Sequence, residues 1–298
     1  MKPSVGWGRL ACSHVHHAEV SVNVSVRPQQ GGRRNLHSLT PALPTPSPVA
    51  STATMSGIKT VVFIIAMEAE AQPFVEHMGL SKDGRHFAEP ATCVSYSGKH
   101  GNLDVHVVVN GKCITHGVDY VGTVPAGLTT FLACQTFKPD LVINAGTAGG
   151  FKSMGAAIGD VYVSTAAVNH DRRIPLPGFE AYGVGREAAA PVPNLARAVG
   201  LKEGVVTTGN SLDYHDRDME NMVEAKASVK DMEAAAIKWA AVLHKVPCIC
   251  IKSVTDIVDG DRVTSEEFLE NLGAAAKSLQ ETLPKILDFV DGKKLEEL

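Results

Sequence analysis

The chain has 298 residues, 44% hydrophobic and only 5% aromatic, enough to bury one sizeable core as a single α/β domain. Its formal charge of −4 is uneven: Lys2, Arg9, Arg27, Arg33 and Arg34 against Glu19 give residues 1–57 a net of +4, which leaves −8 on the remainder. So acidic a globular part argues against nucleic-acid binding, and no apolar run is long enough to span a membrane.

Residues 1–57 are predicted to be a disordered extension, and residues 58–298 the globular domain. Val20–Val26 alternates with strand period, but it is isolated from the fold. The proline-rich run from Thr40 to Pro48 suits neither a helix nor an interior strand. An acid-poor segment containing arginine and serine resembles an organellar transit peptide. The alternative is an unstructured extension with Met55 as a second start. The expected location is therefore the cytoplasm, or a plastid if residues 1–55 act as a transit peptide.

From Ile58 the pattern changes. Ile58–Ala66 reads as a strand, and a helix follows from Glu68 toward Met78. Cys93–Tyr96 and Leu103–Asn110 read as strands joined by a turn over Ser97–Asn102. Val121–Phe137 reads as a helix, with Pro125 tolerated in its first turn. Leu141–Ala145, Gly159–Thr165, Gly204–Thr208 and Val246–Val254 read as strands. Asn194–Val199 and Ala234–Leu243 read as helices, and Thr264-Ser265-Glu266-Glu267 has the form of a capping box before a long helix ending near Gly292. Strands alternating with helices predict a central mixed, mostly parallel sheet flanked by helices. The six cysteines match no zinc spacing and no disulfide framework, which points to a reducing compartment; Cys248 and Cys250 are expected buried, on opposite faces of one strand.

Five segments carry polar groups, and four of them stand at the ends of predicted strands. Glu70, after the first strand, is either an ordinary first-turn glutamate or a base that orients water. Asn144-Ala145-Gly146-Thr147-Ala148-Gly149-Gly150 is glycine-rich enough to let backbone approach a ligand, yet it is neither a Walker loop nor a dinucleotide fingerprint. Thr207–Asp213 offers an apolar wall at Leu212 and backbone hydrogen bonds to a planar ring. Asp231-Met232-Glu233 and Val254-Thr255-Asp256 supply two more carboxylates. A buried aspartate can protonate a base and a glutamate can accept bonds from sugar hydroxyls, a pairing that suits nucleoside chemistry.

These motifs, with His170-Asp171-Arg172-Arg173-Ile174-Pro175, stand in the order found in the 5′-methylthioadenosine nucleosidases. From Ile58 onward the chain resembles that family, most of all its plant type, within the nucleoside phosphorylase superfamily. The resemblance implies a three-layer fold and hydrolysis of 5′-methylthioadenosine to adenine and 5-methylthioribose in methionine salvage, with S-adenosylhomocysteine left open as a second substrate. It implies that Asp256 protonates N7 of adenine and that Glu70 deprotonates water. Glu233 would hold the ribose hydroxyls and Met232 would pack on the sugar. Thr147, Ala148 and Gly149 would line the substrate site. Leu212 would face the base where relatives carry an aromatic ring, and the backbone at Asp213 would read its edge. No cofactor or metal is implied, the only small-molecule partner is the nucleoside, and a homodimer is expected with His170–Tyr182 near the partner's 5′-alkylthio pocket.

Two other readings bear on the same residues. Related phosphorylases carry arginine where this chain has Glu70 and Asn144, so water suits the site better than phosphate. Storage proteins of similar fold would be expected to lose the carboxylates, and Glu70, Glu233 and Asp256 are all present.

Overall fold

The run Thr60–Ile65 explains how the molecule is layered. It forms β1, and Val61 to Ile65 are wholly buried. Val61, Phe63 and Ile65 join one apolar cluster, while Val62 and Ile64 join another on the opposite face, as the two-residue period of a strand requires. A strand buried on both faces needs helices on both sides. On one side lie α1 (Glu68–His77) and α7 (Thr264–Val290), through Phe74, Leu279, Leu283 and Ile286. On the other lie α2 (Thr123–Phe137) and α6 (Ala234–Leu243), through Ala126, Ala133, Ile237 and Ala241. The computed structural model describes residues 57–83 and 86–298, so the readings made for the N-terminal extension fall outside the described residues.

Ten strands among the described residues form one mixed sheet. β1 runs parallel to both β4 (Leu103–Val109) and β5 (Leu141–Gly150), and β3 (Val94–His100) and β2 (Ser81–Asp83) continue antiparallel to the edge. Beyond β5 the sheet closes on itself. β5 pairs with β10 (Cys248–Ile257) and with β9 (Ala227–Asp231). β10 pairs with β6 (Val161–Asn169), β6 with β8 (Lys202–Thr208), and β8 with β9. A two-residue strand β7 (Glu187–Ala188) adds to β6. Short helices α3 (Glu180–Val184), α4 (Pro193–Val199) and α5 (Asp216–Glu224) fill the connections. The expected helix-flanked mixed sheet is the fold observed. No described helix is long and apolar enough to cross a membrane.

Four local expectations need correction. The glycine-rich run after Asn144 is strand to Gly150, because β10 and then β9 take its backbone hydrogen bonds. Ser97–His100 is likewise strand, leaving Gly101-Asn102 as the turn of the β3–β4 hairpin. The capping box at Thr264 does not form: Val263 is the N-cap, and Glu267 instead accepts the backbone N–H of Ile257 at 2.8 Å. Cys248 and Cys250 are both buried as expected, but residues two apart on a strand share a face and do not lie on opposite ones.

Candidate active site

The turn out of β1 sets the first carboxylate. Ala66-Met67 ends the strand, and Glu70 stands in the first turn of α1 at 4% exposure. Its Oε1 accepts the backbone N–H of Thr147 at 2.7 Å and the Thr147 hydroxyl at 2.6 Å. β5 therefore fixes the orientation of the glutamate. Burial pushes the Glu70 carboxyl up, and the Thr147 bonds and the charge of Lys252 only partly offset it.

The second carboxylate depends on an irregularity in β10. The β10–β5 register slips between Val254 and Asp256, so the strand bulges at Thr255 and Asp256 comes opposite Gly149. Bulges re-aim side chains, and they recur beside active sites. Gly149 makes the approach possible: a Cβ there would lie 2.6 Å from Asp256 Oδ2 and 2.7 Å from Val258 Cγ2. The Thr255 hydroxyl donates to Asp256 Oδ1 at 2.7 Å. Asp256 is 3% exposed, and burial holds its carboxyl above the usual range against the pull of Thr255 and Lys230.

Glu233 caps the N-terminus of α6 and is 8% exposed. Its Oε1 accepts the backbone N–H of Gly122 at 2.8 Å. Burial, then the negative charge of Asp231, push its carboxyl up to about 7, while Lys252 and the Gly122 bond work the other way. Beneath it, Asp231 takes a 2.8 Å ion pair from Lys252, the Thr208 hydroxyl at 2.6 Å and the Ala234 backbone N–H at 2.9 Å. Every donor reaching Asp231 is supplied by a different element, so this buried pair locks β8, β9, β10 and α6 together.

Glu70, Thr147, Ala148, Gly149, Leu212, Met232, Glu233 and Asp256 all line one cavity at these strand ends. Asp213 is exposed one residue beyond Leu212 and does not line it. Met67, Val121, Lys230, Thr255 and Phe268 also line the cavity and were given no role from the sequence. Lys252 had a legible signal, since a lysine inside the apolar run of β10 demands a partner. Val121 and Phe268 had none, because they reach the cavity only through the packing of the α2 entry and the N-terminal part of α7. No group of three or more histidine, cysteine or carboxylate side chains among the described residues is arranged to hold a metal ion.

A helix-sandwiched mixed sheet holds three buried carboxyl groups, Glu70, Glu233 and Asp256, around one cavity at its strand ends. The chain belongs to the phosphorylase superfamily, whose model matches residues 60–288. It is 48% identical over 242 residues to a 5′-methylthioadenosine/S-adenosylhomocysteine nucleosidase of Arabidopsis thaliana, covering 81% of this chain and 95% of that one. It is 46% identical to a 5′-methylthioadenosine nucleosidase of the same plant, covering 81% and 91%. The apo structure of an Arabidopsis thaliana 5′-methylthioadenosine nucleosidase superposes with a TM-score of 0.80 at 46% identity, covering 81% of this chain and all of that one.

Proposed function

We propose that this enzyme hydrolyses the N-glycosidic bond of 5′-methylthioadenosine, releasing adenine and 5-methylthioribose for methionine salvage. Breaking the bond from ribose C1′ to adenine N9 leaves negative charge on the base and positive charge on the sugar. Asp256 gives its proton to N7 and so neutralises the leaving base. Glu70 takes a proton from water as the water oxygen bonds to C1′, and its charge steadies the cationic sugar. Glu233 receives the ribose hydroxyls, and Met232 and Leu212 supply apolar walls. The backbone at Asp213 is assigned to the edge of the base.

The observation that carries this reading is the pair of buried carboxylates, Glu70 and Asp256, brought from two different strand ends to one cavity. A phosphate site needs free cationic donors. Here Lys252 is neutralised by Asp231, the Lys230 ammonium is bonded to two backbone carbonyls, and the Asn144 amide donates to Ile64 O. Water is thus the nucleophile the site accommodates. S-adenosylhomocysteine differs only beyond the 5′ sulfur, a region these residues do not read, so it is the second substrate to assay.

The same reading makes the enzyme a homodimer. Val124 and Leu128 on α2 and Trp239, Val242 and Leu243 on α6 leave an apolar face open, with Trp239 52% exposed. A cleft of about 760 Å³ separates that face from the segment containing Arg172 and Tyr182. A second copy covers this face and brings its own His170–Tyr182 segment toward the 5′ end of the substrate.

Replacing Asp256 with asparagine tests the acid. Asp256→Asn preserves shape, so the parent's melting temperature should be nearly kept, while adenine release falls by at least about 10²-fold. Retention of more than about a tenth of the parent kcat would be too small a loss for a general acid and would end the assignment.

A further inference from the structure

One buried cation at this cavity has no part in the hydrolytic roles above. Lys230 lies in β9, all five residues of which are buried, and it is 6% exposed. Its Nζ donates to Ser211 O and to Leu212 O, each at 2.9 Å. Those carbonyls belong to the loop after β8, the loop that presents Leu212 to the cavity. One ammonium group therefore ties the strand under the sugar to the loop beside the base.

Lys230 also lines the cavity that holds Asp256. Burial pulls the Lys230 ammonium below its usual range, and Asp256 is the foremost of the carboxylates that oppose this, ahead of Asp231, Asp213 and Asp171. Seen from Asp256, Lys230 lowers and Glu267 of α7 raises. His170, on the segment after β6, also feels the lysine. Lys230 and Asp256 line the same cavity, and the ammonium charge draws the Asp256 carboxyl down, so removing the lysine changes the acid as well as the loop.

We propose that Lys230 is a positioning residue for the hydrolysis: its ammonium group clamps the Ser211 and Leu212 carbonyls to shape the base-side wall, and its charge beside Asp256 eases transfer of the acid's proton to the base. The inference rests on Asp256 being the acid. Without the lysine, burial and Glu267 are opposed at Asp256 by the Thr255 hydrogen bond alone, the proton is held more tightly, and the loop loses two charge-assisted hydrogen bonds.

The experiment is a pair of pH profiles of kcat/KM with 5′-methylthioadenosine, for Lys230→Met and Lys230→Arg, beside melting curves. Lys230→Met should raise KM about tenfold and carry the alkaline limb upward by about one pH unit. Lys230→Arg keeps the charge, so its limb should stay with the parent's, while the planar guanidinium cannot reproduce the clamp and KM stays raised. A merely structural lysine would lower activity in both variants with neither limb displaced, and that result would overturn the proposal. If the methionine variant does not fold, Lys230→Gln, which also removes the charge but keeps a hydrogen-bond donor for the clamp, takes its place: an alkaline limb carried upward supports the proposal, and an unmoved limb refutes it. Asp256→Asn measured alongside separates the two ideas. An active Asp256→Asn sinks the acid assignment and the role of Lys230 with it; an inactive Asp256→Asn with an unmoved Lys230→Met limb sinks Lys230 alone.

Discussion

Glu70, Glu233 and Asp256 are each kept from water, and burial is the first cause of the upward push on all three. The consequences for rate and for stability have opposite origins. In the proposed mechanism Glu70 acts ionised and Asp256 protonated, so activity is expected to rise as pH passes the first group and to fall as it passes the second, giving a bell. For stability, a carboxyl whose folded value lies above its unfolded value binds more protons when folded, so stability falls as pH rises between the two. For Glu233 that window runs from 4.5 to about 7. Glu233→Gln removes the titration but keeps an oxygen to accept the Gly122 N–H. Its melting-temperature advantage over the parent, without ligand, should therefore widen from about pH 5 to about pH 8. Melts across that range check this, and an advantage that shrinks as pH rises would contradict the sign. The carboxylates themselves were legible because acidic residues at predicted strand ends stand out. Lys230 was not, since β9 is the unpromising string Ala-Ser-Val-Lys-Asp, whose charged members are buried only because Asp256, Lys252 and the Ser211 and Leu212 carbonyls receive them.

At the scale of elements, the site depends on where strands depart from regularity. β1, α1, α6 and most of β10 were readable, because uninterrupted β-branched or alanine-rich runs have one plausible period. The glycine run reads as following a strand that ends at Ala145, whereas β5 continues through it to Gly150. Glycine is a turn signal in a lone sequence, yet here each glycine clears space for a neighbouring strand. At Gly150 a Cβ would lie 2.8 Å from Ala156 Cβ and from Val254 Cγ1, and at Gly149 it would strike Asp256. The bulge at Thr255 had no sequence signal, since it exists only in the pairing of β10 with β5. Gly149→Ala tests this dependence. The added methyl group must displace Asp256 or the strand, so the variant should lose stability by about 1–3 kcal/mol and lose most of its turnover. Full activity with an unchanged melting temperature would mean that the bulge tolerates a side chain and that Gly149 does not set the position of the acid.

At the scale of the whole molecule, the three layers follow from strands buried on both faces, and that much was visible in the sequence. The closure of β5, β10, β6, β8 and β9 was not, because it requires β5 to pair with β1 over Leu141–Asn144 and with β9 at Gly149 and Gly150 while β10 runs along its other edge. The apolar face of α2 and α6 makes a prediction at this scale. Trp239→Glu should place charge at the centre of that face, giving a monomer in light scattering at micromolar protein and a raised KM for 5′-methylthioadenosine. A parent enzyme that is itself monomeric and fully active under those conditions would remove the shared-site reading. The central claim is hydrolysis rather than phosphorolysis, and product analysis in phosphate buffer tests it most directly. With 5′-methylthioadenosine as substrate, adenine and free 5-methylthioribose should appear in equal amounts, at a rate indifferent to added phosphate. Accumulation of 5-methylthioribose 1-phosphate, in step with phosphate concentration, would contradict the account.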